Sequence, residues 1–473
     1  MNTFVNAVKN QKTTTTNGML ALKSSAKSTT DLFYKIGASR GKNIIPQFVA
    51  AFAENADHAL RIAAWSRDVR GGAGERQIFR DILTYLEKNN PDTAKALARK
   101  VPELGRWDDL LIFKGSELKH FAFDMIKEAL DAGNGLTAKW MPRKGEIAVE
   151  LRTYFGWTPK FYRKRLVELT NVVETQMCAK DWDNINFNHV PSLASTRYKK
   201  AFYKHTTKYA EWTAALASGD PSVKVNASAV YPYDVLKGLT SGHSSRMTKP
   251  ELDHITAQWE ALPNYVGEAN ILPLVDVSGS MTCKAGGHLS KSTLTCLDVS
   301  ISLGLYLADK NKGKFKDTFL TFSSDPKLLH LKGNIVQKID QMIRSNWEMS
   351  TNLEAAFNLI LKTAIDGNVP PSEMPSAVLI LSDMQFNSCV HKNDTAMEMI
   401  EGKFRSAGYE APQVVFWNLN SYDNVPVSHD KSGAALISGF SPAILKSVLE
   451  TDFDRFTPEN VMLETIMNPR YNI

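Results

Sequence analysis

The sequence predicts a multidomain protein of class α + α/β, in which a helical region precedes a domain with a parallel sheet. At 473 residues the chain is long enough for two or three domains with separate cores. Apolar residues recur at steps of three and four before about residue 265, and short buried strands alternate with helical stretches after it. We therefore predict an N-terminal arm at 1–30, a helical-repeat domain at 31–265 and an α/β domain at 266–473.

The first thirty residues are polar and basic. They contain four lysines, no acidic residue before Asp31, and a run of threonines at Thr13–Thr16. This composition predicts a mobile basic arm, because it offers little apolar surface to bury. The chain has no recognisable signal peptide and no apolar run of about 18 residues, so we expect a cytoplasmic protein without a membrane partner.

Residues 31–265 are predicted to form helices joined by short turns. Ile45–Ala53 and Glu75–Leu86 each place apolar side chains on one helical face. Gly71–Gly74 separates two helices, and prolines recur at intervals that suit helical hairpins. Because no strict repeat length is present, the prediction is an irregular HEAT-like repeat region.

The remaining chain is predicted to form repeated βα units, which give a Rossmann-like sheet with helices on both faces. The strands are runs rich in Ile, Leu and Val, which indicates parallel strands buried on both sides. The predicted strands are 271–275, 318–322, 377–382, 413–418 and 434–438, and the predicted helices lie near 293–309, 353–364, 396–406 and 441–450.

A candidate metal site follows the ends of two of these strands. Asp276, Ser278 and Ser280 come directly after the first strand, Thr351 precedes a helix, and Asp383 ends a later strand. Ligands of open α/β sheets bind beyond the carboxyl ends of the strands. The five side chains offer only carboxylate and hydroxyl oxygens, which suit Mg²⁺ or Mn²⁺. The alternative for the first loop alone is an Asx or Ser turn that caps the next helix.

These five positions resemble the metal-ion-dependent adhesion site of the von Willebrand factor A domain. That family has Asp-x-Ser-x-Ser, then Thr, then Asp in this order, and only the usual Gly before the Thr differs, being Ser350 here. The resemblance implies that the hydroxyls of Ser278, Ser280 and Thr351 touch the metal. It also implies that the acids act largely through water and that one coordination position accepts an acidic group from a partner.

Basic residues are concentrated in the first part of the chain. Residues 1–270 carry 38 Lys and Arg against 28 Asp and Glu, whereas residues 271–473 carry 18 against 22. The excess is densest at 139–208, where aromatic residues such as Trp157 and Phe161 are interleaved. Basic groups neutralise phosphates and aromatic faces stack on unpaired bases, so this mixture indicates RNA binding. The candidate RNA contacts are Lys139, Arg143, Lys144, Arg163, Lys164, Arg165, Arg197, Lys199 and Lys200.

The alternative is structural, because aromatic residues at helical spacing usually form core and an excess of charge often marks a solvated face. The same applies to Arg70, Arg76 and Arg106, which we expect to pair with neighbouring acids, and to Trp107, which we expect in the core.

Several segments resemble motifs of Ro/TROVE-type proteins and of a related family of uncharacterised plant, bacterial and phage proteins. They are Arg67–Arg76, Val101–Leu110, Val230–Leu236, Val415–Asn420 and Gly433–Ser441. In Ro proteins a helical ring binds small structured RNAs and the single-stranded ends of misfolded RNAs, and an A domain joins the two ends of the ring. The resemblance therefore implies an RNA-binding protein, and ring closure by this shorter region is left open.

Catalytic motifs are weak. Gly37–Asn43 approaches a phosphate loop but is one residue short and follows no buried strand, and the cysteines lack metal-site or disulfide spacing, with Cys283 closest to the metal loop. A hydrolytic metal would need a general base, for which only His391 is near Asp383 in sequence. We expect a non-enzymatic RNA-binding protein. The rival is a metal-dependent protein-interaction adaptor or chaperone-like factor, and a metal-dependent nuclease or phosphatase is a third alternative.

Overall fold

The computed structural model describes residues 11–170, 172–225, 230–240, 247–285, 293–345, 350–388, 395–452 and 455–473. It has a helical N-terminal part and a C-terminal part with a mainly parallel sheet, which confirms the predicted α + α/β class. Within these residues, no helix combines the length and the apolar character needed to cross a membrane.

The N-terminal part consists largely of short helices with one apolar face. In Arg76–Asn89, for example, Ile78, Phe79, Ile82, Leu83 and Leu86 are buried at steps of three and four. The helices are α1 Ser28–Ile36, α2 Ile45–Glu54, α3 Ala56–Arg67, α4 Arg76–Asn89, α5 Pro91–Ala98, α6 Val101–Leu104, α7 Lys119–Asp131, α8 Gly135–Trp140, α9 Glu146–Tyr154, α10 Pro159–Leu169, α11 Val173–Cys178, α12 Ser192–His205, α13 Lys208–Ala217, α14 Pro232–Thr240 and α15 Lys249–Glu260.

Two hairpin strands, β1 Lys12–Thr14 and β2 Leu20–Leu22, precede these helices. The structure therefore differs from the predicted mobile arm, because residues 11–30 form this hairpin and the start of α1. The hairpin is anchored on loops that lie more than 360 residues away, through Thr15 Oγ1 to the Phe386 carbonyl at 2.6 Å and Leu22 N to the Val425 carbonyl at 2.8 Å. Residues 1–10 lie outside the described residues.

The C-terminal sheet has the strand order β5-β4-β3-β6-β7-β8. All neighbours run parallel except β5, a three-residue edge strand that pairs antiparallel with β4 and was not predicted. The strands are β3 Ile271–Asp276, β4 Thr318–Phe322, β5 Leu328–His330, β6 Ala377–Ser382, β7 Gln413–Asn418 and β8 Ala434–Ser438, and the helices are α16 Cys296–Lys310, α17 Ile335–Arg344, α18 Leu353–Asp366, α19 Ala396–Ser406, α20 Leu445–Glu450 and α21 Pro458–Ile466.

Both faces of the sheet are buried, as the apolar strands predict. Leu274, Ile380 and Phe416 pack in a core with residues of α18 and α19. On the opposite face, Val275 and Trp417 belong to a core that also contains residues of the N-terminal helices. The helical part and the sheet part therefore share one hydrophobic core, although the chain passes from helix to strand between residues 260 and 271.

Both ends of the helical region contact the sheet part. At one end α1 packs on β8, and at the other end α14 packs on α16 and the last helix, α15, packs on α17. Helices α11–α13 include a smaller separate core around Phe187, Phe202 and Tyr209. The first and last helices of the region are therefore held by the same α/β framework.

Candidate metal centre and nucleic-acid interface

The candidate metal site lies where the strand order of the sheet reverses. Strand β3 is flanked by β4 on one side and by β6 on the other, and all three run parallel. The loops that follow β3 and β6 therefore leave the same edge of the sheet in opposite directions, which opens the crevice where α/β proteins bind ligands. Asp276 is the last residue of β3, and Asp383 directly follows β6.

Asp276 is fully buried and is held by two hydrogen bonds. Its Oδ1 accepts from the Ser278 backbone N–H at 2.8 Å, and its Oδ2 accepts from the Ser382 hydroxyl. Burial raises the pKa of the Asp276 carboxyl above its usual value, although these hydrogen bonds oppose the rise. The bond from the Ser278 N–H forms an Asx turn that orients the Asp276 carboxylate. The capping part of the alternative is not observed, because the short helix Gly279–Thr282 has no side-chain cap bond.

Asp383 is almost fully buried, and its Oδ2 has no hydrogen-bond partner among the described residues. Burial and then the charge of Asp276 raise the pKa of the Asp383 carboxyl to about 7, and a hydrogen bond from Ser280 opposes part of this rise. Two neighbouring buried carboxylates, one with an unsatisfied oxygen, are costly unless a proton or a cation compensates them.

Two hydroxyl groups complete this cluster. Ser278 Oγ and Ser280 Oγ lie 3.0 Å apart in the loop that begins at Asp276. Among the described residues, no group of three or more His, Cys, Asp or Glu side chains is arranged to hold a metal. The cluster therefore offers two carboxylates and two hydroxyls, an oxygen-only set that fits a hard cation such as Mg²⁺ or Mn²⁺ rather than a softer metal.

Thr351 is buried, and its hydroxyl makes hydrogen bonds to residues outside this group of four. Its Oγ1 donates to the Gln385 carbonyl at 2.7 Å and lies 3.1 Å from Asn387 Oδ1, so it is directed toward the loop after Asp383. Asn17, in the turn between β1 and β2, donates to the same Oγ1 at 3.1 Å. Asp276, Ser278, Ser280 and Asp383 are therefore brought together, whereas the Thr351 hydroxyl is engaged by the loop and the hairpin.

The surroundings of the site include residues that the sequence analysis missed. Tyr34 of α1 is fully buried, and the charge of Asp383 adds to burial in raising the pKa of its phenol. Lys42 donates to Asn420 Oδ1 at 2.8 Å. Its positive charge acts to lower the pKa of both Asp383 and Cys283. No local motif marks Tyr34, and Lys42 was noted only as part of the incomplete phosphate loop Gly37–Asn43. Each residue reaches the site through the packing of the N-terminal part against the sheet.

Cys283, noted for its position near the metal loop, lies 3.5 Å from Cys296 measured between the sulfur atoms. Both thiols line a cavity of 270 Å³ together with Lys42 and Asn420. The hydrogen bond between the two thiols and the charge of Lys42 lower the pKa of Cys283 despite its partial burial. Cys389 and His391 lie outside the described residues.

Six of the nine candidate RNA contacts are on or between α8 and α10. Arg143, Lys144, Arg163 and Lys164 are exposed, whereas Lys139 and Arg165 are half-buried. Four of them have local partners. Arg165 donates to the Leu130 carbonyl at 2.9 Å, and Arg143 donates to the Thr170 hydroxyl at 3.2 Å. Arg163 donates to the Pro159 carbonyl at 3.2 Å, and Lys164 pairs with Glu168 at 3.6 Å. The exposed face of α10 combines Arg163 and Lys164 with Phe161, whose side chain is 49% exposed.

The other three candidates are on α12, which belongs to the smaller core. Arg197 and Lys200 are exposed, and Lys199 forms an ion pair with Glu251 at 2.7 Å. Of the eleven aromatic residues interleaved with the basic run, four are half-buried and three are exposed, and the buried four are Phe155, Tyr162, Phe187 and Phe202. The structural reading therefore holds for those aromatic residues, and Phe161 is the strongest exception.

The expected structural role is confirmed for Arg106 and Trp107. Arg106 forms a bidentate pair with Asp108, at 3.0 and 2.8 Å, and the Trp107 side chain is buried. Arg76 differs, because it has no ion-pair partner among the described residues and lines a cavity. Arg67, which the sequence analysis did not single out, forms a fully buried pair with Asp109 at 2.8 Å.

Comparison with known proteins gives matches in both parts of the chain. An uncharacterised protein of Acanthamoeba polyphaga mimivirus is 29% identical over an alignment that covers 96% of this chain and 88% of that protein. The crystal structure of the Ro (RSR) protein of Deinococcus radiodurans aligns with 93% of this chain and 93% of its own, at 12% identity and a TM-score of 0.38, which is too low to support an argument. Residues 15–106 and 136–270 match a family model described as Domain of unknown function (DUF2828). Residues 270–467 match a second model, described as Domain of unknown function (DUF7788). The helical part and the sheet part are therefore each similar to a family of unknown function.

Proposed function

We propose that this chain is a non-enzymatic RNA-binding protein that carries a divalent-cation site at the edge of its sheet. In this proposal the helical part provides the RNA surface, as in the Ro/TROVE-type proteins that its motifs resemble. The sheet part acts as a von Willebrand A-like domain whose cation, Mg²⁺ or Mn²⁺, is available to an acidic group of a partner.

The observation that carries the cation site is the orphaned Oδ2 of Asp383 beside Asp276. A buried carboxylate oxygen without a partner costs free energy, and a bound cation would remove this cost by satisfying the oxygen and neutralising the paired charges. Ser278 and Ser280 add hydroxyl oxygens on the same loop. The cation would act here as a binding group, since the described residues offer no histidine positioned as its general base.

The RNA surface is supported by α10. Its exposed side chains include Phe161, Arg163 and Lys164, so a cationic face and an aromatic ring are presented together. Unpaired bases stack on such rings while cations contact the phosphates, and this combination tolerates many sequences. Among the described residues, Lys164 pairs with the exposed Glu168, at 3.6 Å, and such an exposed pair is easily exchanged for a phosphate contact.

Fluorescence anisotropy with single-stranded RNA, measured at several salt concentrations, tests this surface. The double variant Arg163→Gln/Lys164→Gln should weaken binding and reduce the slope of log K against log salt by about 1 to 2, because up to two phosphate contacts are lost. Phe161→Ala should weaken binding with little change in slope. Arg405→Gln is the matched control, because Arg405 is exposed on α19 in the sheet part.

The adaptor alternative has one observation in its favour. The hairpin of this same chain lies on the Thr351 loop, with Asn17 bonded to Thr351, so the sheet edge accepts a protein segment. If the full chain bound no RNA at low salt but bound an acidic peptide in the presence of Mg²⁺, the adaptor function would replace the RNA function.

A further inference from the structure

A large cavity lies between the helical part and the loop that follows the metal site. Its volume is 960 Å³, and its walls come from the Arg40–Asn43 loop, the beginning of α4, α14, and Ala285 and Leu294. It shares Arg40, Gly41, Lys42 and Ala285 with the cavity of 270 Å³ that contains Cys283. The loop that resembled an incomplete phosphate loop therefore lines this cavity. A volume of this size is enough for a nucleotide-sized ligand, since ligand pockets span about 300–1,000 Å³.

The walls of the cavity carry an excess of positive charge. Seven Lys or Arg and three Asp or Glu residues line it. Burial raises the pKa of two of the three acids, Glu75 and Asp234. A concave surface with one sign of charge concentrates ions of the opposite sign.

Most of the arginines in the walls are already paired. Arg40 forms a bidentate contact with Glu75, at 2.7 and 2.8 Å, and Arg80 contacts Asp109 at 2.7 Å. Arg106 is paired with Asp108, and its guanidinium lies 3.4 Å from the centre of the Trp140 ring. These contacts hold the guanidinium groups in fixed positions, so they are organised before any ligand arrives.

Arg76 is the exception in this framework. It has no ion-pair or hydrogen-bond partner among the described residues, and its side chain is exposed at the cavity. Desolvation, and then the charges of Arg106 and Arg80, lower the pKa of Arg76. Arg76 is also the first residue of α4, a 14-residue helix whose N-cap Glu75 makes no side-chain capping bond, so the positive end of the helix faces the same space.

We propose that this cavity binds the terminal phosphate of a nucleotide-class ligand, with Arg76 and the first turn of α4 as its principal contacts. An anion bound there reduces the electrostatic repulsion among Arg76, Arg80 and Arg106. It also accepts hydrogen bonds from the backbone N–H groups in the first turn of α4. The site is distinct from the α10 surface and from the cation site, so it goes beyond the proposed function and does not depend on it.

Isothermal titration of the full chain in low salt and EDTA tests the proposal. The probes are inorganic phosphate, ATP, and a short RNA oligonucleotide with either a 5′-phosphate or a 5′-hydroxyl group. We expect Arg76→Gln to weaken binding of the phosphorylated probes about tenfold or more, because charge-assisted hydrogen bonds are lost. Since Arg76 is exposed, this variant should fold normally.

Two controls define the site. Arg405→Gln and the α10 variant Arg163→Gln/Lys164→Gln should both retain the affinity for inorganic phosphate and ATP. Preference for ATP identifies a free nucleotide as the ligand, and preference for the 5′-phosphorylated over the 5′-hydroxyl RNA identifies an RNA end; either result supports the site. Equal affinity of wild type and Arg76→Gln, or no binding of any phosphorylated probe at low salt, overturns it.

Discussion

At the scale of single residues, Asp383 carries an electrostatic cost that the fold does not compensate. Its carboxyl is buried next to Asp276, and one of its oxygens has no partner among the described residues. Ser382 and Ser278 donate hydrogen bonds to the two carboxylate oxygens of Asp276, so the oxygen that lacks a hydrogen bond belongs to Asp383. A bound cation or a proton would compensate the buried charge at this oxygen, and the two compete for it.

This competition predicts a pH dependence of stability. Because the pKa of Asp383 is about 7 in the folded chain and 3.8 is its ordinary value, its contribution to the free energy of unfolding is fully present below about pH 4. The contribution is lost as the pH rises through about 7, where the folded carboxyl ionises. Without divalent cations, the thermal midpoint of the wild type should therefore fall between pH 5 and pH 8 relative to that of Asp383→Asn, measured by circular dichroism.

Mg²⁺ should reverse this trend, because it binds the ionised form. The stabilisation by Mg²⁺ should be small at pH 5 and large at pH 8. An Mg²⁺ effect that is independent of pH, or equal in Asp383→Asn, would contradict the assignment of Asp383.

Local spacing was enough to predict that four of the five candidate metal-site residues are neighbours. Asp276, Ser278 and Ser280 are close in sequence, and Asp383 meets them because adjacent parallel strands end at one edge. The orientation of Thr351 was not predictable in the same way, because its hydroxyl is engaged by Asn17, which is 334 residues away. Lys42 was noted only as part of an incomplete phosphate loop, and Arg76 was expected to pair with a neighbouring acid. The cavity that both residues line forms only when the two parts pack together, so local sequence does not reveal it.

At the scale of elements, the hairpin β1–β2 is the clearest departure from the sequence prediction. Its strands are three residues long, and Thr13–Thr16 shows no alternation of apolar and polar residues that would indicate a half-buried strand. The contacts that hold it come from loops of the sheet part, such as Gln385 Oε1, which accepts from the Thr16 backbone at 2.7 Å. A single stretch of sequence does not reveal such partners.

Asn17→Ala tests the docking of this hairpin. The change removes hydrogen bonds to Thr351 Oγ1 and to the Gln385 carbonyl, so we expect it to lower the free energy of unfolding by about 1–3 kcal/mol. Limited trypsin digestion should show faster cleavage after Lys12 or Lys23 in the variant than in the wild type. Rapid cleavage at both sites in the wild type would indicate the mobile arm that composition alone suggested.

The helices and the other strands were more predictable, because their signals are local. The five predicted strands coincide with β3, β4, β6, β7 and β8 to within one residue, since each is a continuous apolar run. The edge strand β5 and the helices α17 and α21 were missed. β5 has only three residues and is half exposed, so it lacks the apolar run that marked the other strands.

At the scale of the whole molecule, the two parts are joined by buried contacts at both ends of the chain. Gly37, after α1, lies so close to β8 that a Cβ there would clash with the Ser438 carbonyl. Near the C-terminus, Arg470 and Tyr471 contact the fully buried carboxylate of Asp68 at 2.6 and 3.1 Å. Sequence patterns predict where the chain changes from helix to sheet. They do not predict that the N-terminal helices and one face of the sheet share a hydrophobic core.

The shared core predicts that the full chain unfolds as one unit. Calorimetry should give one transition for the wild type, with the helical and sheet parts losing structure together. Asp68→Asn should lower the midpoint of that single transition, because the buried pair with Arg470 is weakened. Two well-separated transitions, with only one affected by this change, would show that the parts are independent domains.

Direct counting of bound Mn²⁺ by electron paramagnetic resonance tests whether Asp276 and Asp383 together hold a divalent cation. The full-length wild type at pH 8 should bind one Mn²⁺ per chain at the sheet edge, and Mg²⁺ should displace it. The near-isosteric variants Asp276→Asn and Asp383→Asn should each lose this ion, whereas Arg405→Gln should retain it. If the wild type bound no Mn²⁺, or if both Asn variants bound it as tightly as the wild type does, the assignment of this site would be wrong.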